Sequence, residues 1–278
     1  MTDLTTILDT TLSSAAAETS GKHPIFAWNN LLTASDATLT PSSEITDHLA
    51  INAIDGKEYT YWQSAGSGVT TLQVDFATAK DINFVAIHGH NVGTLGGTFG
   101  LQRWTGAAWV DVVTAALTSS APRVLTFASV NGTRFRIYFD TSAAVQAAVL
   151  SLGTYMQMER GCWTGMTPPW MGRVTSVKST KSEAGVLLGR SVKLMGVKFN
   201  MDFTYLTIPF VRDYWMPFII NAEDLPFFVL WNPVDYPDDA AFCWLEDPSK
   251  DAQPPRLMAH AHMSASITVN GRVDGGVI

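Results

Sequence analysis

Residues 50–76 read AINAIDGKEYTYWQSAGSGVTTLQVDF. Asp55-Gly56 is a turn dipeptide, because Asp hydrogen-bonds its own backbone two residues on and Gly takes a positive φ without steric cost. Trp62 follows alone, then a Gly/Ser loop. Leu72, Val74 and Phe76 next alternate with polar neighbours, the period of a half-buried strand. A turn, a single large aromatic and a short strand in that order describe either a binding site or a way of folding. The flanking sequence has to decide between them.

Downstream, INFVAIHGH (82–90) places Ile82, Phe84, Ala86 and His88 on one face and Asn83, Val85 and Ile87 on the other. Apolar character on both faces predicts a central strand. GTFGLQRWTGAAWVDVV (97–113) reads as a hairpin turning at Thr105-Gly106, with Trp104 and Trp109 flanking the turn. Asn131-Gly132 reads as a further turn before an alternating strand through Phe135, Ile137 and Phe139. Many short strands, Gly-rich turns and almost no helical period predict a jelly-roll-like β-sandwich over residues 25–159.

The composition shifts at Arg160, where GCWTGMTPPWMG forms a Pro/Gly/Trp-rich connector. Long strand-like runs follow, at 173–182 and 185–207. In IPFVRDYWMPFIINAED, Phe210, Tyr214 and Phe218 lie at i, i+4 and i+8, one face of a helix. Pro209 suits the helix start, while Pro217 falls inside the pattern and should kink or end it. Strands resume at 226–232, 240–246 and 256–271. Residues 160–278 are therefore expected to be α+β, an antiparallel sheet with one helix against it, and the chain as a whole mainly β. Residues 1–24 are Thr/Ser/Ala-rich, either a short helix or an arm. Pairing of that arm with the C-terminal domain would make the sandwich an insertion.

Apolar residues make up 46% of the chain and charged residues only 15%, too apolar for disorder. Nine Trp and fourteen Phe must be buried in cores or against partner subunits. A net charge of −7 argues against a nucleic-acid surface, which needs a basic patch. The first residues lack the basic-then-apolar order of a secretory signal, and no apolar run approaches a membrane span. The expectation is a soluble protein made in the cytoplasm, with no nucleic-acid partner and no membrane insertion. Cys162 and Cys243 are compatible with two reduced core residues or one disulfide.

The order of Asp55-Gly56, Trp62, the Leu-x-Val-Asp-Phe strand and INFVAIHGHN resembles the discoidin, or coagulation-factor-type C, group of galactose-binding-like sandwiches, over roughly residues 25–157. In that resemblance these residues are framework. VAIHGHNVGTLGGTFGLQ and AAVLSLGTYMQMERG look like a sandwich variant of bacteriophage tail proteins. The element order of the C-terminal half is similar to the hub domains of distal tail and tail-tip proteins, which assemble as rings below the tail tube. Distal tail proteins usually start with the hub fold, whereas here the sandwich precedes or interrupts it.

Two His-x-His pairs, His88/His90 and His260/His262, can each present two imidazoles on one strand face, as a Zn or Ni site needs. The simpler reading is a strand end, a turn and ordinary strand surface. Asp36, Asp47, Asp55 and Asp75 surround the first strands, where related sandwiches often carry a structural Ca²⁺; Asp47 and Asp55 are the candidate ligands, against an Asx turn at Asp55. Tyr61, Trp104 and Trp109 can form an aromatic platform for a sugar, or can be core and cross-strand pairs. No catalytic motif appears, and the carboxylates of DYPDDAAFCWLED read as a solvated loop. No enzyme activity and no cofactor beyond calcium is expected.

The resemblance implies a structural component of a phage tail tip, a virion protein assembled in the host cytoplasm. It would form a closed ring, six-fold or three-fold, between the tail tube and the tip hub proteins. Phe210, Tyr214, Trp215 and Phe218 are the expected assembly interface, with Phe227, Phe228 and Trp231 in the core beneath. The alternative is a carbohydrate-binding module that attaches a virion or an enzyme to a cell-surface glycan.

Overall fold

The computed structural model describes residues 20–162, 165–259 and 261–274. The proposed N-terminal arm falls almost wholly outside these residues. Its last part, a 3-10 turn Ser20–Lys22, meets the C-terminal half through a Lys22–Asp235 ion pair of 3.0 Å.

The sandwich is built from β1 (Ile25–Asn30), β2 (Ala37–Pro41), β3 (Trp62–Gln63), β4 (Gly68–His90), β5 (Thr98–Trp104), β6 (Trp109–Ala116), β7 (Arg123–Thr141) and β8 (Gln146–Gln157). β4 and β7 run through both layers. The first part of β4 pairs with β2 and with residues 134–141 of β7, and β5–β6 extend that layer. The second part pairs with residues 123–132 of β7 and with β8, which passes on to β1. Leu72, Val74, Trp62, Phe99, Phe135, Ile137, Phe139, Leu150 and Leu152 fill the space between the layers.

Asn131-Gly132 is not a hairpin turn. Both residues lie within β7, opposite Asp81 and Lys80, where β4 and β7 bend together from one layer to the other. A side chain at Gly132 would crowd the Phe135 ring, 3.0 Å from an added Cβ. Residues 84–90 are buried throughout, as expected of a central strand. The faces differ from the simple alternation, however. A bulge between Ile82 and Phe84 returns Ile82 to the face of Val85 and Ile87, and Asn83 accepts a hydrogen bond from Tyr155 N–H at 2.9 Å.

The remaining strands are β9 (Arg173–Lys181), β10 (Leu187–Thr207), β11 (Phe227–Leu230), β12 (Ala240–Trp244), β13 (Ala252–Ala259) and β14 (His262–Arg272). Helix α1 (208–222) follows β10, and a short α2 (Pro248–Asp251) precedes β13. The hydrogen-bonded order β8-β1-β11-β12-β14-β10-β9 makes β1 common to both halves, with β8 on one side and β11 on the other. Phe26 of β1 points into the core under α1, among Phe203, Trp215, Phe218 and Phe227. Ile25 and Ala27 point the other way, into a second apolar seam against Phe84, Val149, Phe228 and Phe242. The fold is mainly β, antiparallel, with one helix of 15 residues.

Pro217 does not break α1. The preceding turn, Val211–Trp215, widens to the i→i+5 pattern, and the helix continues as Met216–Ala222. A wider turn relieves the clash between the proline ring and the carbonyl before it. It also shifts the helix phase by one residue. Phe210, Trp215 and Phe218 therefore share the buried face, and Tyr214 stands in solvent. The expected assembly interface is corrected accordingly: three of its four residues form the chain's own core. Phe227 and Phe228 are core residues on opposite faces of β11. The second Asn-Gly pair of strand type, Asn270-Gly271, is also not a turn. A Cβ at Gly271 would lie 2.6 Å from Phe242 O and 3.0 Å from Cys243 Sγ, so glycine permits β14 to approach β12.

Candidate functional site

The expected sugar platform is split by the fold. Trp104 and Trp109 pair across the β5–β6 hairpin, with ring centroids 5.4 Å apart, beside the bend of β4. The Arg136 guanidinium lies over the Trp109 ring at 4.4 Å, so one aromatic face is already occupied. Tyr61 precedes Trp62, which is opposite Ala147, as is His90; that is the other end of the strands. The Tyr61 ring stacks on His48 at 3.9 Å. The register therefore keeps Tyr61 and the two tryptophans from sharing a surface.

The metal candidates are likewise engaged within the chain. His88 Nε2 lies 2.7 Å from Glu58 Oε1, and its ring stacks on Phe242 at 4.6 Å. His90 Nε2 donates to Ala121 O at 3.0 Å, and burial pushes its pKa down to about 4. His262 lies near Tyr205, centroids 6.1 Å apart, and His260 is outside the described residues. Asp55 accepts from Lys57 N–H at 2.9 Å and from the Thr60 hydroxyl at 2.8 Å, the Asx turn that its Gly neighbour implies. Asp47 is exposed, Asp36 pairs with Lys80 and Asp75 with Arg134. Among the described residues no group of three His, Cys, Asp or Glu is placed to hold a metal ion. Cys162 and Cys243 are both free thiols, and burial pushes the Cys162 pKa up to about 12.

The residues that do converge lie where the sandwich meets the second half. The Asp55-Gly56 turn (φ +74° at Gly56) sets its backbone against Pro226, 3.0 Å from an added Cβ. It thereby carries Lys57, Glu58 and Tyr59 to one wall of a cleft of about 470 Å³. The opposite walls come from residues 222–226, from Phe242 and Trp244 of β12, and from Arg272 of β14.

Glu58 is the electrostatic centre of this cleft. The His88 hydrogen bond, and next the charges of His88 and Arg272, hold its carboxyl below the usual range against the opposing effect of burial. An ionised carboxylate only accepts, so His88 Nε2 carries the proton of the shared hydrogen bond. Arg272 Nε stands 3.6 Å from the same carboxylate oxygen, and Nη1 is 3.9 Å from Asp274. A second ion pair, Arg123–Asp238, crosses the seam on β7. Tyr59 is 77% exposed and Trp244 half-buried, so the cleft offers aromatic surface beside fixed donors and acceptors.

Sequence reasoning found His88 but not Glu58, Tyr59, Trp244 or Arg272. Glu58 lies two residues past the Asp55-Gly56 turn, and no motif marks it. Nothing in local spacing ties residue 58 to residues 244 and 272, which meet only because β1 joins two sheets.

Residues 52–137 match the family model described as "NedA-like, galactose-binding domain". The chain thus contains a discoidin-like, galactose-binding-like β-sandwich, as the opening stretch suggested. No curated protein matches the sequence. Similar solved structures include CBM32-5 of CpGH89 from Clostridium perfringens in complex with GalNAc-β-1,3-galactose. It is 20% identical, with 43% of this chain and 96% of that chain covered and a TM-score of 0.37. Another is chitosan-binding module 2, in complex with chitotriose, of a Paenibacillus sp. IK-5 chitosanase/glucanase (18% identity, 43% and 97% covered, TM-score 0.37). A third is the Ruminococcus gnavus GH29 fucosidase in complex with fucose (14% identity, 46% and 27% covered, TM-score 0.41). The findings give no support to a bacteriophage tail protein, a tail-hub-like second domain, or ring and tail partners.

Proposed function

We propose that this chain is a glycan-binding protein that holds a sugar in the cleft between the Asp55-Gly56 loop and the second half, with no chemical step. The observation that carries the reading is the convergence of Tyr59 and Trp244 with the Glu58–His88–Arg272 group in one cleft. The family match over residues 52–137 favours the same ligand class, since that family's description names galactose. This is the alternative of the sequence reading rather than its tail-tip assembly reading.

The chemistry fits a pyranose. Its C–H face packs on an aromatic ring, while vicinal hydroxyls need paired donors and acceptors held in place. Trp244 supplies the ring, Glu58 accepts, and Arg272 donates. The mutual contacts of Glu58, His88 and Arg272 fix the polar groups before any ligand arrives, which lowers the ordering cost of binding. Tyr59, largely exposed, lies at the open side of the cleft.

The test is isothermal titration of the full chain with galactose, N-acetylgalactosamine and a β-linked disaccharide of the two. Trp244→Ala and Glu58→Gln should each weaken binding at least about tenfold, the loss of roughly 1.4 kcal/mol. Trp109→Ala, at the opposite end of the sandwich, should bind as the parent does. Loss of binding in Trp109→Ala but not in Trp244→Ala would move the site to the β5–β6 hairpin and defeat this assignment.

A further inference from the structure

The β9–β10 hairpin stands apart from both cores. All nine residues of β9 are exposed, as are residues 187–193 of β10. The pairing register gives the ribbon two different faces. One face carries Val177 opposite Val192, with Lys181 opposite Leu187 and Ser179 opposite Arg190. The other carries Lys178 opposite Ser191 and Ser176 opposite Lys193. Val192 is 58% exposed and Leu187 57%, although both sit in regular strand. A two-stranded ribbon in water is marginal by itself, and its outer strand leaves a row of unpaired backbone groups.

Charge separates this arm from the rest of the molecule. Residues 173–193 hold five cations (Arg173, Lys178, Lys181, Arg190, Lys193) and one anion, Glu183, so the arm is +4. The whole chain is −7, which leaves −11 for everything else. The arm is thus complementary to the body of its own protein.

It does not reach its own body. β10 continues from the arm into the core sheet through a bulge at Leu194/Gly196, where Gly196 takes φ +123° and packs against Gly271 O. From Arg190 to Val197, the first β10 residue of the core under α1, is seven residues of strand, about 23 Å. α1 starts beyond the far end of β10 and lies over Phe203.

The matching surface is a groove of about 650 Å³ between α1 and the α2–β13 segment, lined by Met216, Ile219, Glu223, Pro248, Pro254 and Pro255 among others. Tyr214 and Ile220 stand in solvent on the same helix, 57% and 62% exposed. Glu223 and Asp247 supply anions there, and Lys250 is paired to Asp247. We propose that the β9–β10 arm of one copy docks its Val177/Val192 face into this groove on a second copy, with Lys181 and Arg190 meeting Glu223 and Asp247. The two patches differ, so one such contact leaves an arm and a groove open, which either close reciprocally in a two-fold dimer or repeat head-to-tail in a ring or chain of copies.

The experiment is sedimentation velocity of the full chain from low to high micromolar concentration. The parent should gain mass with concentration, to a dimer or beyond, and lose it as salt is raised. Val177→Lys with Val192→Lys should raise the dissociation constant about a hundredfold while leaving circular dichroism and thermal midpoint unchanged, because both side chains are exposed in the free chain. Lys181→Glu with Arg190→Glu should weaken association similarly. Mixing that variant with Glu223→Lys/Asp247→Lys should restore it. A parent that stays monomeric at every concentration overturns the proposal, as does association that neither arm pair alters. Binding of the monomeric parent to anionic vesicles or an oligonucleotide, lost in Lys181→Glu/Arg190→Glu, would give the arm to a different partner and also overturn it.

Discussion

Lowering the pH from 7 to 4 should destabilise this protein through His90, and the size of the effect follows from where the ring sits. His90 is 3% exposed at the end of β4, and Nε2 donates to Ala121 O at 3.0 Å. Nδ1 has no hydrogen-bond partner among the described residues. Charging the ring would put a second proton on that nitrogen, inside the fold. Burial therefore lowers the pKa from 6.5 to about 4, the Ala121 bond opposing and the charge of nearby His88 adding to the shift. In the unfolded chain the ring titrates near 6.5, so between these values the unfolded state binds the proton and the folded state does not. The stability held by the neutral ring is complete above pH 6.5 and is lost as pH falls toward 4. A separation of about 2.5 pKa units amounts to roughly 3 kcal/mol across the window, with about 1.4 kcal/mol gone by pH 5.5. His23, whose pKa burial also lowers, acts in the same direction and must be subtracted. Urea midpoints of the parent and of His90→Gln, measured at half-unit steps from pH 7 to 4.5, make that subtraction. Gln retains an N–H donor for Ala121 O and does not titrate. The variant should be less stable than the parent at pH 7 and should lose stability less steeply toward acid. Parallel curves for the two proteins would refute the reasoning, because they would mean that the buried ring is not the group taking up the proton.

Phe26→Ala removes the side chain that β1 sends under α1, where it meets four aromatic rings, and should cost about 3–5 kcal/mol. Because β1 is hydrogen-bonded to both halves, Trp fluorescence and far-ultraviolet circular dichroism should shift together; a transition in one probe alone would show that the halves unfold independently. Gly271→Ala places a methyl group 2.6 Å from Phe242 O, a backbone atom that moves only with β12, and should cost about 1–3 kcal/mol. An unchanged thermal midpoint in that variant would mean that β12 and β14 are not held as tightly as the register implies.

How far a sequence reading carries is clear from individual residues. Asp55-Gly56 and Thr105-Gly106 behave as turns, each with a positive-φ glycine, since the dipeptide's own chemistry suffices. Asn131-Gly132 and Asn270-Gly271 have comparable chemistry and lie within strands, because long-range pairing with β4 and with β10 and β12 outweighs a local turn preference. The helix at Phe210 was legible from its apolar period. Its phase was not, since a widened turn before Pro217 moves Trp215, and not Tyr214, onto the buried face. His88 was visible as a strand residue, but its partner Glu58 is thirty positions away and Arg272 far beyond.

By itself the sequence determined the mainly antiparallel β architecture, the framework of the galactose-binding-like sandwich and the existence of one helix. Alternation, turn dipeptides and an isolated core Trp act over a few residues, and local physics fixes them. Tertiary structure alone decided that β1 serves both halves, that the expected Tyr61–Trp104–Trp109 platform is split between two ends, and that the aromatic and charged cleft forms at the seam. It also decided that residues 173–193 stand exposed as a basic arm. The shared β1 and the seam cleft depend on strands that meet across a hundred residues or more, and pairing of that range is set by the burial of whole sheet faces, a quantity that no short stretch of sequence contains.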